Sequence, residues 1–312
     1  MKDTLKDPWT IHSFRLLVIT SLLLICSTVG HLEAYEGGTE TFRAGCAQIF
    51  FGKDVQKNLE RILQFIRRAD SLGVDVLLFP ETALSGYASV DFKDSPFPSK
   101  NVLDEALDSV REAAKATGVW VIIGTSSVVQ DGLYNVLHMI DDRGEIRASY
   151  AKAHLTTDDD GFYHPGDKII AYNLDGLDFG MQICFDIRFP ESWRMLALQG
   201  ARVIFHSAYA AGGSSWKIPV MEGHLRSRAA ENGVWVVSCN KAGPVQMQKS
   251  YIVDPNGLIV AESNQDREEL ITGIVDLRVI NPITTFDRRR TDIYGLNPVE
   301  NISQQKWESP ER

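Results

Sequence analysis

Apolar positions along the chain recur with two different periods. Residues 42–51 read as a strand. Behind Asp54, a residue type suited to capping a helix, Val55, Leu59, Ile62, Leu63, Ile66 and Ala69 follow 3.6-residue spacing, and Gly73 closes the run. Residues 74–79, apolar except for Asp75, form a short run with the pattern of a strand buried on both faces, with Pro80 and Glu81 at its carboxyl end. A second helix fits residues 101–116 and a further strand residues 119–124. From there hairpin signals enter: Asp131-Gly132, residues 141–144 and Asn256-Gly257 lie between β-prone runs. The later pattern predicts strands at 145–151, 179–184, 202–205 and 234–238, with helices at 190–200 and 218–232. No linker or shift of composition divides residues 42–297, which read as one domain followed by a loose polar tail, 298–312.

The first forty residues differ in kind. Lys2, Lys6 and Arg15 precede an uncharged run at 16–30, and Glu33, Glu36 and Glu40 restore polarity after it. Fifteen uncharged residues fall short of the roughly 20 that a spanning helix needs, so residues 1–40 read as a signal peptide, with an N-terminal anchor as the alternative. Basic residues before the run and acidic ones after it send the domain outward, secreted, periplasmic or anchored outside, with membrane contact only through 16–30. Leu32-Glu33-Ala34 makes a poor cleavage site, and Ile25 makes Cys26 a poor lipid-attachment site. A start codon placed too early would instead leave the domain cytoplasmic. Asn301-Ile302-Ser303 is a glycosylation sequon in a secreting eukaryote.

Composition narrows the class. With 32 Lys plus Arg against 41 Asp plus Glu the net charge is −9, whereas a nucleic-acid binder needs a basic face. A hydrophobic share of 44% and a charged share of 23% fit an ordinary globular chain. Cys46, Cys184 and Cys239 remain once Cys26 leaves with a leader, too few and too spread for a disulfide framework. The seven His residues show no HExxH and the cysteines no CxxC, so the sequence calls for no metal and no other cofactor.

Three chemically capable residues stand just beyond strand-like runs: Glu81 after VLLFP, Lys152 after 145–151, and Cys184 at the end of FGMQIC. Such ends are where open α/β sheets place ligands. The blocks around them, FPETALSGY at 79–87, YAKAHL at 150–155, YHPGD at 163–167 and CFDIRFPE at 184–191, resemble in order the signatures of the nitrilase superfamily. RSRAAENGVWVV at 226–237 and YIVDPNG at 251–257 continue the likeness. The resemblance implies a four-layer αββα sandwich of the carbon-nitrogen hydrolase type, hydrolysis of non-peptide carbon–nitrogen bonds, the catalytic set Glu81, Lys152 and Cys184, and at least a homodimer.

The residue types suit that chemistry. An amide carbon is a poor electrophile, so a thiol must lose its proton as it attacks, and Glu81 can be the base. Lys152 and the backbone N–H of Phe185 can meet the developing oxyanion. The family's second glutamate, six residues before the Pro of its PGD block, is here Asp159, within Asp158-Asp159-Asp160. The alternative reading of that run is a solvated acidic turn. The amidase-like branch fits Phe185-Asp186 after the cysteine; the other readings are a nitrilase, an N-carbamoyl hydrolase and a catalytically impaired binding protein of the same fold. Gly212-Gly213-Ser214-Ser215 is similar to a serine-rich signature of an unrelated amidase family, but a serine cap for the helix at 218 explains it better. Asp186, Arg188 and Glu191 are expected to form charge pairs holding the cysteine turn, and Glu222 with Arg226 a surface pair.

Overall fold

The computed structural model describes residues 40–129, 132–212, 215–264, 266–279 and 288–290. The leader with Cys26, the sequon and the tail lie outside the described residues. Two six-stranded sheets form. In the first the order is β12 (Glu269–Asp276), β1 (Thr41–Gln48), β2 (Val76–Leu78), β3 (Trp120–Val129), β4 (Gly132–Ile140) and β5 (Ile146–Ala151). In the second it is β11 (Ile259–Glu262), β10 (Tyr251–Val253), β9 (Trp235–Asn240), β8 (Val203–Ala208), β7 (Leu177–Ile183) and β6 (Tyr172–Leu174). The central strands β1, β2 and β3 run parallel, as do β7, β8 and β9. The helices are α1 (Val55–Ser71), the one-turn α2 (Ala88–Asp91), α3 (Lys100–Thr117), α4 (Pro190–Leu198) and α5 (Ile218–Asn232).

Side-chain alternation builds the layers. On β2, Leu77 packs with Ile62 and Ile66 of α1 and Val110 of α3, while Val76 and Leu78 join Phe179, Phe205 and Val237 between the sheets. A strand with both faces covered has no solvent side on which to place polar residues, which is why 76–79 is apolar throughout, while Asp75, just ahead of the strand, is exposed. Trp193 and Leu196 of α4 and Leu225 of α5 cover the outer face of the second sheet. The result is a four-layer αββα sandwich. Asp54 caps α1 by accepting from the Lys57 N–H.

Several strands run further than their hydrophobic pattern. β3 continues past Gly124 through Thr125 and Ser126, β8 through His206 and Ser207, and β9 through Cys239 and Asn240. These residues are buried, and Ser126, His206, Ser207 and Asn240 find partners on neighbouring elements, so they extend a strand where their polarity alone suggests its end. The expected serine cap of α5 is not what starts that helix. A 3-10 turn, Ser215–Lys217, precedes it, and the cap position is Lys217 in helical backbone conformation with no side-chain capping bond.

Candidate active site

Glu81 lies in the turn after β2, Lys152 directly after β5, and Cys184 directly after β7, so strand ends from both sheets converge. The Glu81 turn rests on Gly124 of β3, where a Cβ would collide with the Pro80 carbonyl and sit 2.6 Å from the Thr82 nitrogen. Thr82 is left-handed at φ +53, a cost of about 1–3 kcal/mol for a non-glycine residue. Its hydroxyl donates to the Glu81 carbonyl at 2.8 Å, and Ser207 Oγ of β8 donates to the Phe79 carbonyl at 2.7 Å, tying the turn to the second sheet. The Lys152 backbone is held on both sides: its N–H donates to the Asn135 carbonyl at 2.9 Å and its carbonyl accepts from Gly166 at 2.8 Å. A Cβ on Gly166 would strike the Ala151 carbonyl, which gives the glycine of YHPGD its reason.

Cys184 opens a 3-10 turn, Cys184–Arg188, and is itself left-handed at φ +43. The turn is held by Asp186, though not through the expected charge pairs with Arg188 and Glu191. Among the described residues no ion pair joins those three. Asp186 Oδ2 accepts from the Ile183 N–H at 2.9 Å and the Tyr150 hydroxyl at 2.7 Å, and Oδ1 lies 3.0 Å from the His154 N–H and 2.7 Å from its Nδ1. Arg188 instead points outward to His224 Nε2 at 3.2 Å. Asp186 is fully buried and must spend its lone pairs on nearby donors, whereas a side chain at 188 has water to turn to. Glu222 and Arg226 do pair, at 3.3 Å.

The ionisable groups form one buried network. Lys152 Nζ donates to Glu81 Oε1 at 2.9 Å, Asp159 Oδ2 at 2.9 Å and Tyr87 Oη at 3.0 Å. All three ammonium protons therefore have acceptors. Lys152 can bond a further oxygen only by releasing one, and neutral Tyr87 is the least costly to give up. Burial works against the ammonium, but Glu81, Cys184 and Asp159 outweigh it and hold the Lys152 pKa above its ordinary value. Burial also acts against the Asp159 carboxylate, and there Lys152, the Thr156 N–H and Tyr87 prevail, holding its pKa low. The Cys184 thiol is pushed well up by burial and by Glu81, against the opposing pull of Lys152.

Asp159 is wholly buried, with Oδ1 accepting from Tyr87 at 2.8 Å and Oδ2 from the Thr156 N–H at 2.9 Å, while Asp158 and Asp160 are exposed. A solvated turn accounts for the outer two acids but not for Asp159. Its short side chain reaches Lys152 because the turn at 156–163 folds over it, with the Phe162 and Tyr163 N–H groups bonding its carbonyl.

Beside Cys184 lies a pocket of about 260 Å³ whose wall includes Tyr87, Phe185, Arg188, Tyr209, Lys217 and Met247. Glu81 and Lys152 sit behind the thiol rather than on this wall. Phe185 is half-buried, and its N–H belongs to the leading end of the 3-10 turn, where N–H groups have no intrahelical acceptor. A larger cavity of about 490 Å³, between Asp75, Trp120 and Arg147, borders no cysteine. Among the described residues no cluster of His, Cys, Asp and Glu suits a metal ion.

Besides Tyr87, sequence reasoning missed three partners. Asn135 Nδ2 donates to Glu81 Oε1 at 2.7 Å, the Tyr209 N–H donates to Glu81 Oε2 at 2.8 Å, and His206 Nε2 lies 3.2 Å from the Cys184 carbonyl oxygen. Only Asn135 and His206 left a trace, each a polar residue inside a mostly apolar strand.

The carbon-nitrogen hydrolase family model matches residues 43–284. A 2-oxoglutaramate amidase of Bacillus subtilis is 31% identical over 269 residues, spanning 79% of this chain and 96% of that protein. The human omega-amidase NIT2 is 25% identical over 278 residues, spanning 82% and 98%. Among solved structures, Nit3 of Saccharomyces cerevisiae matches with TM-score 0.70 at 25% identity, over 81% of this chain and 98% of that one. An amidase from Nesterenkonia sp. AN1 shares the fold with TM-score 0.72 at 23% identity, over 83% and 97%.

Proposed function

This chain belongs to the carbon-nitrogen hydrolase family, and on that premise we propose that it hydrolyses a small amide through a thioester on Cys184, with Glu81 as base and Lys152 as the cationic partner of the oxyanion. The observation that carries the reading is a thiol on the pocket wall backed by a buried, hydrogen-bonded Glu81–Lys152 pair. As Sγ attacks the amide carbon, Glu81 takes the thiol proton. The tetrahedral oxygen draws on Lys152, released from Tyr87, and on the Phe185 N–H. Collapse expels the amine, which leaves as ammonia with the proton that Glu81 returns. Glu81 then takes a proton from water, the hydroxyl adds to the thioester, and the acid departs as the thiol is reformed. Asp159 holds Lys152 throughout.

A second reading narrows the substrate. Arg188 and Lys217 line the pocket, and a carboxylate on the substrate would meet their charge. A relative whose name specifies 2-oxoglutaramate, itself an amide bearing a carboxylate, supports the same class.

Ammonia release from a panel of carboxylate-bearing amides, uncharged amides, nitriles and N-carbamoyl amino acids tests both readings. Amides should turn over, and Cys184→Ala should abolish turnover while Cys46→Ala and Cys239→Ala, away from the pocket, stay active. Retained turnover in Cys184→Ala would overturn the mechanism.

A further inference from the structure

Cys184 is the one residue near the pocket that combines a reactive side chain with a left-handed backbone, and something must hold that backbone against its own preference. Asp186 secures the turn from below through the Ile183 N–H, and so fixes the residue before the cysteine. The carbonyl of Cys184 itself points to β8, where His206 Nε2 lies at 3.2 Å. His206 is wholly buried, beside the Trp193 ring at 5.6 Å between centroids.

The surrounding hydrogen bonds fix the tautomer. A carbonyl oxygen only accepts, so Nε2 must carry the proton. In a neutral ring Nδ1 is then an acceptor, and its neighbour is Ser238 Oγ at 2.8 Å, whose proton can turn toward it. Ser238 Oγ in turn accepts from Gln248 Nε2 at 2.8 Å. The relay Gln248 to Ser238 to His206 to Cys184 is complete for a neutral imidazole with its proton on Nε2. Burial, opposed by the Cys184 carbonyl and Asp186, holds the His206 pKa down to about 4, so the ring is neutral at ordinary pH.

We propose that His206 is a positioning residue: by donating Nε2–H to the Cys184 carbonyl it holds the nucleophile's left-handed turn and so aims Sγ into the pocket. The inference rests on the assignment of Cys184 as nucleophile. It adds a residue of the second sheet, in neither the cysteine block nor the glutamate and lysine blocks, to what determines reactivity. Misplacing a reacting group by about 1 Å costs up to about 10²-fold, which sets the scale expected.

The test uses two readouts: kcat and KM for ammonia release, and the rate at which iodoacetamide alkylates Cys184, followed by mass. His206→Gln keeps a donor nitrogen the same number of bonds from the backbone and should stay within about 3-fold of wild type in both. His206→Asn places its amide one bond short, reaching Ser238 but not the Cys184 carbonyl, and His206→Leu removes all polarity. Both should lose about 10- to 100-fold in kcat and in alkylation rate, with KM changed by less than about 2-fold. Should the leucine variant fail to fold, the comparison of Gln with Asn decides. Wild-type rates in the asparagine variant, or a glutamine variant as slow as the asparagine one with an equal melting temperature, would overturn the role. Absence of ammonia release from the wild-type enzyme would defeat the amidase reading instead, and the alkylation comparison would still decide the matter of His206.

Discussion

Lys152 Nζ and Asp159 Oδ2 stand 2.9 Å apart with both side chains sealed from solvent, so the ammonium that faces Glu81 is anchored from the far side by a carboxylate seven residues along the chain. The two acids flanking Lys152 leave it one neutral partner, the Tyr87 hydroxyl, and hence one direction in which to offer a proton.

That arrangement predicts unequal effects along Asp158-Asp159-Asp160. Asp159→Asn keeps the shape but drops the charge opposite Lys152, and kcat/KM should fall about 10²-fold, the scale of a misaligned oxyanion donor. Asp160→Ala should match wild type, and Asp158→Ala, on the pocket wall, should keep kcat. Measuring kcat/KM for the three on one amide checks it; a silent Asp159→Asn alongside a crippled neighbour would shift the role to that neighbour.

The raised pKa of Cys184 predicts that its reactivity comes from Glu81 rather than from a standing thiolate. Alkylation of Cys184 by iodoacetamide in Glu81→Gln should be about 10²-fold slower than in wild type near neutral pH and should climb as pH rises. If the variant reacts at the wild-type rate, Glu81 is not the base that activates the thiol.

Acid should destabilise the fold before most carboxylates are protonated. His138 and His206 are buried, and burial holds both down to about 4, against an ordinary value of 6.5. The unfolded chain takes up a proton at each as pH falls below 6.5 while the folded chain does not. The stability these histidines contribute is therefore whole above 6.5 and drains away toward pH 4, at most about 3 kcal/mol each. Urea midpoints at about pH 7 and about pH 4.5 should differ accordingly; equal midpoints would show that the rings stay neutral in the unfolded chain or charge in the folded one.

Arg188→Ala separates the two substrate readings. For a carboxylate-bearing amide KM should rise about 10-fold or more, the value of one charge-assisted hydrogen bond, with kcat little changed. An uncharged amide should be handled as by wild type. Equal effects on both substrates would mean that Arg188 supports the pocket rather than reading charge.

We propose that the uncharged run at 16–30 directs export of the domain. Fractionation of the native host with N-terminal sequencing should find the protein outside the cytoplasm, and a soluble cytoplasmic form starting at Met1 would refute it.

What the sequence determined by itself is what short-range pattern can carry. The run at 74–79, apolar but for Asp75, announces a strand with two covered faces, the spacing from Val55 to Ala69 announces α1, and the blocks around Glu81, Lys152 and Cys184 announce three strand ends with capable side chains. Tertiary structure decided what depends on partners distant in the chain. In an irregular turn no periodicity tells Asp158 from Asp159, and only the fold over Lys152 turns one inward. Polar residues such as Asn135 and His206 read as interruptions of a strand until the element opposite is known. Asn135 is then seen bonded to Glu81, 54 residues away, and His206 to the carbonyl of Cys184, 22 residues away. A buried polar group must find a hydrogen-bond partner, and which partner it finds is set by the packing of the two sheets.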